Sequence, residues 1–236
     1  MYRERYEEWR HVFKLDPDRE IDDAKLDALC MSGTDAVIVG GSSGVTFEKV
    51  VELLSRIRRY EVPCALEVSD LEAAVPGFDL YLIPMVLNTA RTEWMTGKQI
   101  EGLQAYGSYI PWDSTAAEGY LILNAEAEAA RLTGADCGLD AAAVLAHVRL
   151  ADRLMRLPIV YLEYSGTFGD MELVRAASAL VTQARLFYGG GIDDPAKASA
   201  AAAAAHTVIV GNVIYDHLEA ALETVQAVRD TAFARV

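Results

Sequence analysis

Eight short apolar runs, spread along the whole chain, constrain this sequence more than any other feature. They read HVFKL (His11–Leu15), DAVIVG (35–40), VPCALEV (62–68), LYLIPMV (Leu80–Val86), GYLILN (119–124), LPIVYLEY (157–164), ARLFYGG (184–190) and HTVIVG (206–211). Several are apolar almost throughout instead of alternating, as expected of parallel strands covered on both faces. Helical patterns lie between most of them. DDAKLDALCMSG ends on Gly33, a C-cap signal, and TFEKVVELLSRIRRY opens on Thr46 as N-cap with arginines in its last turn. DMELVRAASALVTQ and DDPAKASAAAAAA both begin with Asp, and the second has Pro195 early in the helix.

Strand–helix alternation with eight strands in 236 residues predicts a (β/α)₈ barrel of the TIM type, a fold of roughly 250 residues. An open doubly wound sheet is the competing arrangement. No linker composition interrupts the chain, so residues 1–236 read as one barrel domain. Two units are irregular. After the third strand only DLEAAVPG precedes the fourth, too little for a full helix, whereas AEAEAARLTGADCGLD after the fifth is a long insertion.

Charge narrows the function. Lys and Arg total 21 against 35 Asp and Glu, a formal net charge of −14, and that field repels nucleic-acid phosphates. The opening MYRERYEEWRHVFK is charged where a signal peptide is apolar, and no apolar run approaches the roughly 20 residues that span a bilayer. Cys30, Cys64 and Cys137 lack CxxC spacing and read as free thiols in a reducing compartment, so a cytoplasmic protein is expected. A lipid substrate is not excluded.

In such barrels the chemistry sits where strands end. The seventh run ends in Gly189, Gly190 and Gly191 and the eighth in Gly211 and Asn212. Bare backbone at these two ends suits an anion held by N–H groups, and the loops after strands seven and eight are the usual phosphate site of this fold. The sixth run brings Tyr161, Leu162, Glu163, Tyr164, Ser165 and Gly166 to the mouth, with Glu163 read either as a structural ion-pair partner or as the group that polarises a substrate hydroxyl. Lys14 and Asp16, two apart at the end of the first run, suit a phosphorylated substrate and Mg²⁺, with an intra-strand salt bridge as the bland alternative. GGSSG (40–44) adds a hydroxyl, Ser42 or Ser43, and a second anion site. His11 and His206 begin strands, on the opposite face from the chemistry. No Ser-His-Asp or Cys-His set and no GxGxxG appears.

The motifs HVFKLDP, SGTDAVIVGGSSGVT, VPCALEVS, VPGFDLYLIPMVLN, EGYLILN, YLEYSGTFGD, LFYGGGI and VIVGNVIY resemble those of the bacterial PcrB family. Its members are heptaprenylglyceryl phosphate synthases, relatives of the archaeal geranylgeranylglyceryl phosphate synthases, and the resemblance runs from about Trp9 to Val228. It implies a modified TIM barrel with the third helix replaced by a loop, and a homodimer. It implies a Mg²⁺-dependent transfer of a long polyprenyl group from its diphosphate to the 3-hydroxyl of sn-glycerol 1-phosphate. Carried over by motif, Asp16 and Ser42 would hold Mg²⁺. Lys14, Tyr161, Leu162, Glu163, Tyr164, Ser165, Gly166, Gly191, Gly211 and Asn212 would bind glycerol phosphate, with Glu163 as the base. Ser43 stands where relatives often carry Asp. LYLIPMVLN, Trp94 and Tyr106 would line an apolar groove for the prenyl tail, and transient contact with a membrane surface would be natural for such a substrate. Two alternatives compete: another phosphate-binding barrel transferase or isomerase, of thiamine-phosphate or phosphoribosyl type, and a non-catalytic binder of phosphoglycerol or polyprenyl ligands.

Overall fold

The computed structural model describes residues 6–233; residues 1–5 of the charged opening stretch lie outside the described residues. All eight expected strands form, and they are β1 (His11–Leu15), β2 (Ala36–Val39), β3 (Cys64–Glu67), β4 (Leu80–Val86), β5 (Thr115–Ile122), β6 (Ile159–Glu163), β7 (Arg185–Gly189) and β8 (Thr207–Val210). Every neighbouring pair is parallel, and β8 returns to β1 through Val12↔Ile209, which closes the barrel. The open-sheet alternative is therefore set aside.

Period two decides which residues face the axis. Val12, Ile38, Ala65, Leu82, Ile159, Tyr161, Phe187 and Ile209 form an inner cluster, while Phe13, Leu15, Leu66, Leu162 and Leu186 belong to an outer one beneath the helices. The outer layer is made of amphipathic helices with identifiable starts. Helix α1 (Asp23–Met31) is capped by Asp22, which accepts from the Lys25 N–H at 2.8 Å. Helix α2 (Phe47–Ile57) is capped by Thr46 and buries Val50, Leu53, Leu54 and Ile57, an i, i+3, i+4, i+7 face.

No helix intervenes between β3 and β4, as the short connection predicted. A π-helical turn (Glu93–Gly97) and α3 (Lys98–Tyr106) follow β4. The insertion after β5 folds as α4 (Glu128–Thr133) before the crossover helix α5 (Ala141–Arg149). Next come α6 (Met171–Leu180) and α7 (Pro195–Ala204), the latter capped by Asp194 with Pro195 at its start. The chain finishes with α8 (Val213–Asp216) and α9 (Leu218–Arg229). Among the described residues no helix is long and apolar enough to cross a membrane.

Strand β5 begins at Thr115, four residues before the run at Gly119. Thr115, Ala116, Ala117 and Glu118 carry no strand signature of their own. They are extended because β4 offers a ladder to them, starting at Tyr81↔Thr115. At the opposite end of the barrel His11 is fully enclosed, its ring nitrogens 2.9 Å from the hydroxyls of Thr34 and Thr224. Cys30 and Cys64 are buried free thiols, and Cys137 is half-buried and also free.

Candidate active site

Two cavities open at the C-terminal ends of the strands. The larger, about 460 Å³, is lined by Lys14, Asp16, Gly40, Gly41, Ser42, Glu128, Tyr161, Glu163, Ser165, Gly166, the glycines 189–191, Asp193, Gly211, Asn212 and their neighbours. The smaller, about 110 Å³, has a mostly apolar surface from Pro84, Val86, Trp94, Ile122, Ala129 and Leu132, with Ser69, Lys98, Gln99 and Thr133 among its polar lining residues. The two meet at Lys14, Gly41, Ser42, Glu163 and Ser165, which line both.

Most of the residues singled out in the sequence therefore converge. Leu162 and Tyr164 do not. Strand alternation turns Leu162 outward into the layer under the helices, and Tyr164 packs there beside Tyr188, their rings 6.0 Å apart. Ser42 faces both cavities and Ser43 neither, which separates the two hydroxyls. Tyr106 lines neither cavity, whereas Trp94 and the Pro84–Val86 end of β4 line the smaller one. The insertion, in which no motif was visible, supplies Ala129, Leu132 and Thr133 to the smaller cavity and Glu128 to the larger.

The glycines act partly by yielding space to other groups. A side chain at Gly41 would begin 2.5 Å from Asp16 Oδ1, so bare backbone there lets the carboxylate stand in the mouth. Gly191 has φ +58, and the space a side chain would need is filled by the backbone of Thr167 and Phe168. It is needed first to let the loop after β6 pack against the loop after β7. The N–H groups of Gly190, Gly191, Gly211 and Asn212 donate to no protein acceptor among the described residues, and these residues line the larger cavity. That leaves them available to an anion.

The polar groups form one chain of contacts. Lys14 Nζ lies 2.7 and 2.9 Å from the two oxygens of Glu67 and 3.3 Å from the Tyr120 hydroxyl. That hydroxyl donates to Glu163 Oε2 at 2.9 Å. Glu163 Oε1 accepts from the Ser165 N–H at 2.7 Å and the Ser165 hydroxyl at 2.5 Å. These donors fix the direction of the Glu163 carboxylate, and the Tyr161 phenol two residues earlier on the same strand face adds a further hydrogen-bonding contact to it. Burial works against the Lys14 ammonium, but the Glu67 charge, then that of Glu163, and the hydrogen bonds to Glu67 more than offset it, so its pKa is raised. Burial, and then the Glu163 charge, push the Tyr120 and Tyr161 phenols well above their ordinary range. Both remain neutral donors.

Electrostatically the larger cavity is unusual for an anion site. Asp16, Glu128, Glu163, Asp193 and Asp216 line it against a single lysine, which Glu67 already engages. Among the described residues no group of three His, Cys, Asp or Glu could hold a metal by itself. A hard divalent cation that takes one carboxylate and a hydroxyl, and completes its shell with phosphate oxygens and water, nevertheless suits Asp16 and Ser42. The sequence reading missed Glu67, Glu118 and Tyr120. Glu67 stands at the end of the strand in VPCALEVS, and Glu118 and Tyr120 stand inside EGYLILN, so polar side chains within buried runs were the available signal.

A model of the PcrB family matches residues 4–229 of the chain. The heptaprenylglyceryl phosphate synthase of Brevibacillus brevis is 55% identical over 228 residues, covering 97% of this chain and 99% of that protein. The enzyme of the same name from Geobacillus kaustophilus is 56% identical over 227 residues, 96% of this chain and 95% of that protein. Among solved structures, (S)-3-O-geranylgeranylglyceryl phosphate synthase from Thermoplasma acidophilum, in complex with substrate sn-glycerol-1-phosphate, superposes with a TM-score of 0.84. It is 21% identical and the match covers 97% of this chain and 96% of that one, a likeness of fold.

Proposed function

The chain belongs to the PcrB family, and from that premise we propose that it is a prenyltransferase acting on sn-glycerol 1-phosphate. A long polyprenyl diphosphate, heptaprenyl as in the names of its relatives, is the donor. The observation that carries the reading is the junction of the two cavities. A polar cavity with four unpaired backbone N–H groups meets an apolar one at Lys14, Ser42, Glu163 and Ser165. A phosphate fits the first and a hydrocarbon chain the second, so the reacting atoms would meet between them.

The glycerol phosphate would sit against Gly191, Gly211 and Asn212, with its 3-hydroxyl toward the Glu163 carboxylate. The reaction forms the bond between that oxygen and C1 of the prenyl chain and breaks the bond from C1 to the diphosphate oxygen. The proton of the hydroxyl passes to Glu163 and diphosphate leaves with the electron pair. Holding a weak nucleophile by its phosphate next to an oriented carboxylate supplies much of the acceleration. Tyr120 and Ser165 keep that carboxylate aimed, and Lys14 offers positive charge to the phosphate. Asp16 and Ser42 would hold Mg²⁺, which when bound stabilises the charge that develops on diphosphate. A homodimer and a cytoplasmic location belong to the same reading.

The test is to incubate the purified protein with labelled sn-glycerol 1-phosphate, Mg²⁺ and prenyl diphosphates of graded length. Transfer of the label into an organic-extractable, phosphatase-sensitive ether supports the reading. Binding of both ligands without product would make the protein a binder, and no binding of glycerol phosphate would remove the reading altogether.

A further inference from the structure

Glu118 is an acid of the barrel interior to which neither the sequence reading nor the reaction above gives a use. It stands on β5 opposite Pro84 of β4 and Ile159 of β6 and is completely buried. Neither of its carboxylate oxygens has a hydrogen-bond partner. An ionised carboxylate in that state would be prohibitively costly, so the group carries its proton, and burial followed by the nearby Glu67 charge raises its pKa well above the carboxylate range. A neutral acid has one O–H to donate, and here that donor has no acceptor.

A second observation concerns Lys14. All three of its protons have partners, two on Glu67 and one on Tyr120. To hold a phosphate the ammonium must release at least one of them. Glu67 is 6% exposed, and losing its charged donor there would leave a buried carboxylate short of a partner, a cost of about 1–3 kcal/mol or more. An orphan donor thus stands within electrostatic reach of an acceptor that substrate binding would strand.

We propose that Glu118 is a positioning residue for Lys14, its O–H group taking over Glu67 when the ammonium turns to the phosphate of the substrate. The exchange keeps Glu67 paired in both states and removes the penalty that would otherwise oppose binding. It also explains why an acid occupies a position where an apolar residue would pack. The groups that face Glu118 are Lys14 from β1, Glu67 from β3 and Glu163 from β6, with Tyr120 on its own strand and Tyr161 on β6 as neutral phenols.

The inference rests on the glycerol phosphate reading, and two substitutions separate the two. Glu118→Gln keeps a donor but cannot ionise, and Glu118→Leu removes the donor at similar volume. Calorimetric titration with sn-glycerol 1-phosphate at neutral pH should show Glu118→Gln within about threefold of the parent and Glu118→Leu weaker by about tenfold or more. The KM for prenyl diphosphate should change little in either. Parent-like binding by Glu118→Leu, equal losses in both variants, or equal weakening of both substrates would overturn the proposal. Should Glu118→Leu not fold, the pH profile decides. The parent loses affinity on the alkaline side as Glu118 ionises and Glu118→Gln does not, so superimposable profiles would overturn it. Failure of the parent itself to bind glycerol phosphate would instead refute the function from which the inference starts.

Discussion

Lys14 is bound by Glu67 across the barrel, at 2.7 and 2.9 Å, and not by Asp16 two residues along its own chain. Spacing within β1 suggested an intra-strand pair as the bland alternative. The actual partner comes from β3, and it leaves the Asp18 N–H, at 2.9 Å, as the one hydrogen-bond donor to the Asp16 carboxylate among the described residues. Burial raises the pKa of Asp16, and that donor only partly offsets it.

The buried pair makes a stability prediction. Glu67→Leu strands the ammonium of Lys14, whose side chain is 17% exposed, and should lower the unfolding free energy by about 3–5 kcal/mol. The double variant Lys14→Met with Glu67→Leu removes both charges and should recover most of that loss. Urea denaturation measures both. A double variant less stable than Glu67→Leu alone would show that the pair does not act as a unit.

Asp16→Asn tests the metal assignment. The side chain is half-buried at the cavity mouth, so the melting temperature should stay close to that of the parent. Turnover should be lost because a neutral amide oxygen binds Mg²⁺ far less well than a carboxylate. Undiminished turnover in this variant, or in the parent with excess chelator, would remove Mg²⁺ from the mechanism.

His11 gives a pH prediction at the far end of the barrel. Burial, and then the charge of Arg229, lower its pKa from 6.5 to about 3. The folded state therefore keeps the ring neutral while the unfolded chain takes up a proton below 6.5. The stability it contributes is complete above that value and is lost as pH falls toward about 3, by up to roughly 1.4 kcal/mol per pH unit. Thermal melts from pH 7 to 4 should fall more steeply in the parent than in His11→Gln, which cannot titrate. Parallel slopes would contradict the assignment.

The barrel was legible because parallel strands buried on both faces are apolar runs, and turn residues mark where they end. The same property hid the interior. In Cys64, Ala65, Leu66 and Glu67 both faces are buried, so nothing in the sequence says that Glu67 points to the axis until the register with β2 and β4 is known. Tyr161 to Gly166 read as one recognition run, yet a strand shows a site only every second residue, which is why Leu162 and Tyr164 turned away. Gly191 lines the larger cavity, yet the loop after β6 already requires its bare backbone, a packing reason that the sequence alone did not show. Helix α4 was invisible as a site element because its contribution is hydrophobic shape and carries no motif.

Glu163 and Tyr120 can be separated by a pair of substitutions. Glu163→Gln removes the ability to take the hydroxyl proton, and kcat should fall about 10²–10⁴-fold with glycerol phosphate affinity less affected. The amide also has a single acceptor oxygen where the carboxylate meets donors on both oxygens, the Tyr120 hydroxyl on one and Ser165 on the other. Some of the loss would then be misorientation. Tyr120→Phe isolates that part, since it deletes one donor and leaves the base, and its kcat should fall by only about tenfold. A Tyr120→Phe enzyme with parental kcat would show that the Tyr120 hydroxyl does not orient the carboxylate. A Glu163→Gln enzyme with near-parental kcat would assign the proton to another acceptor.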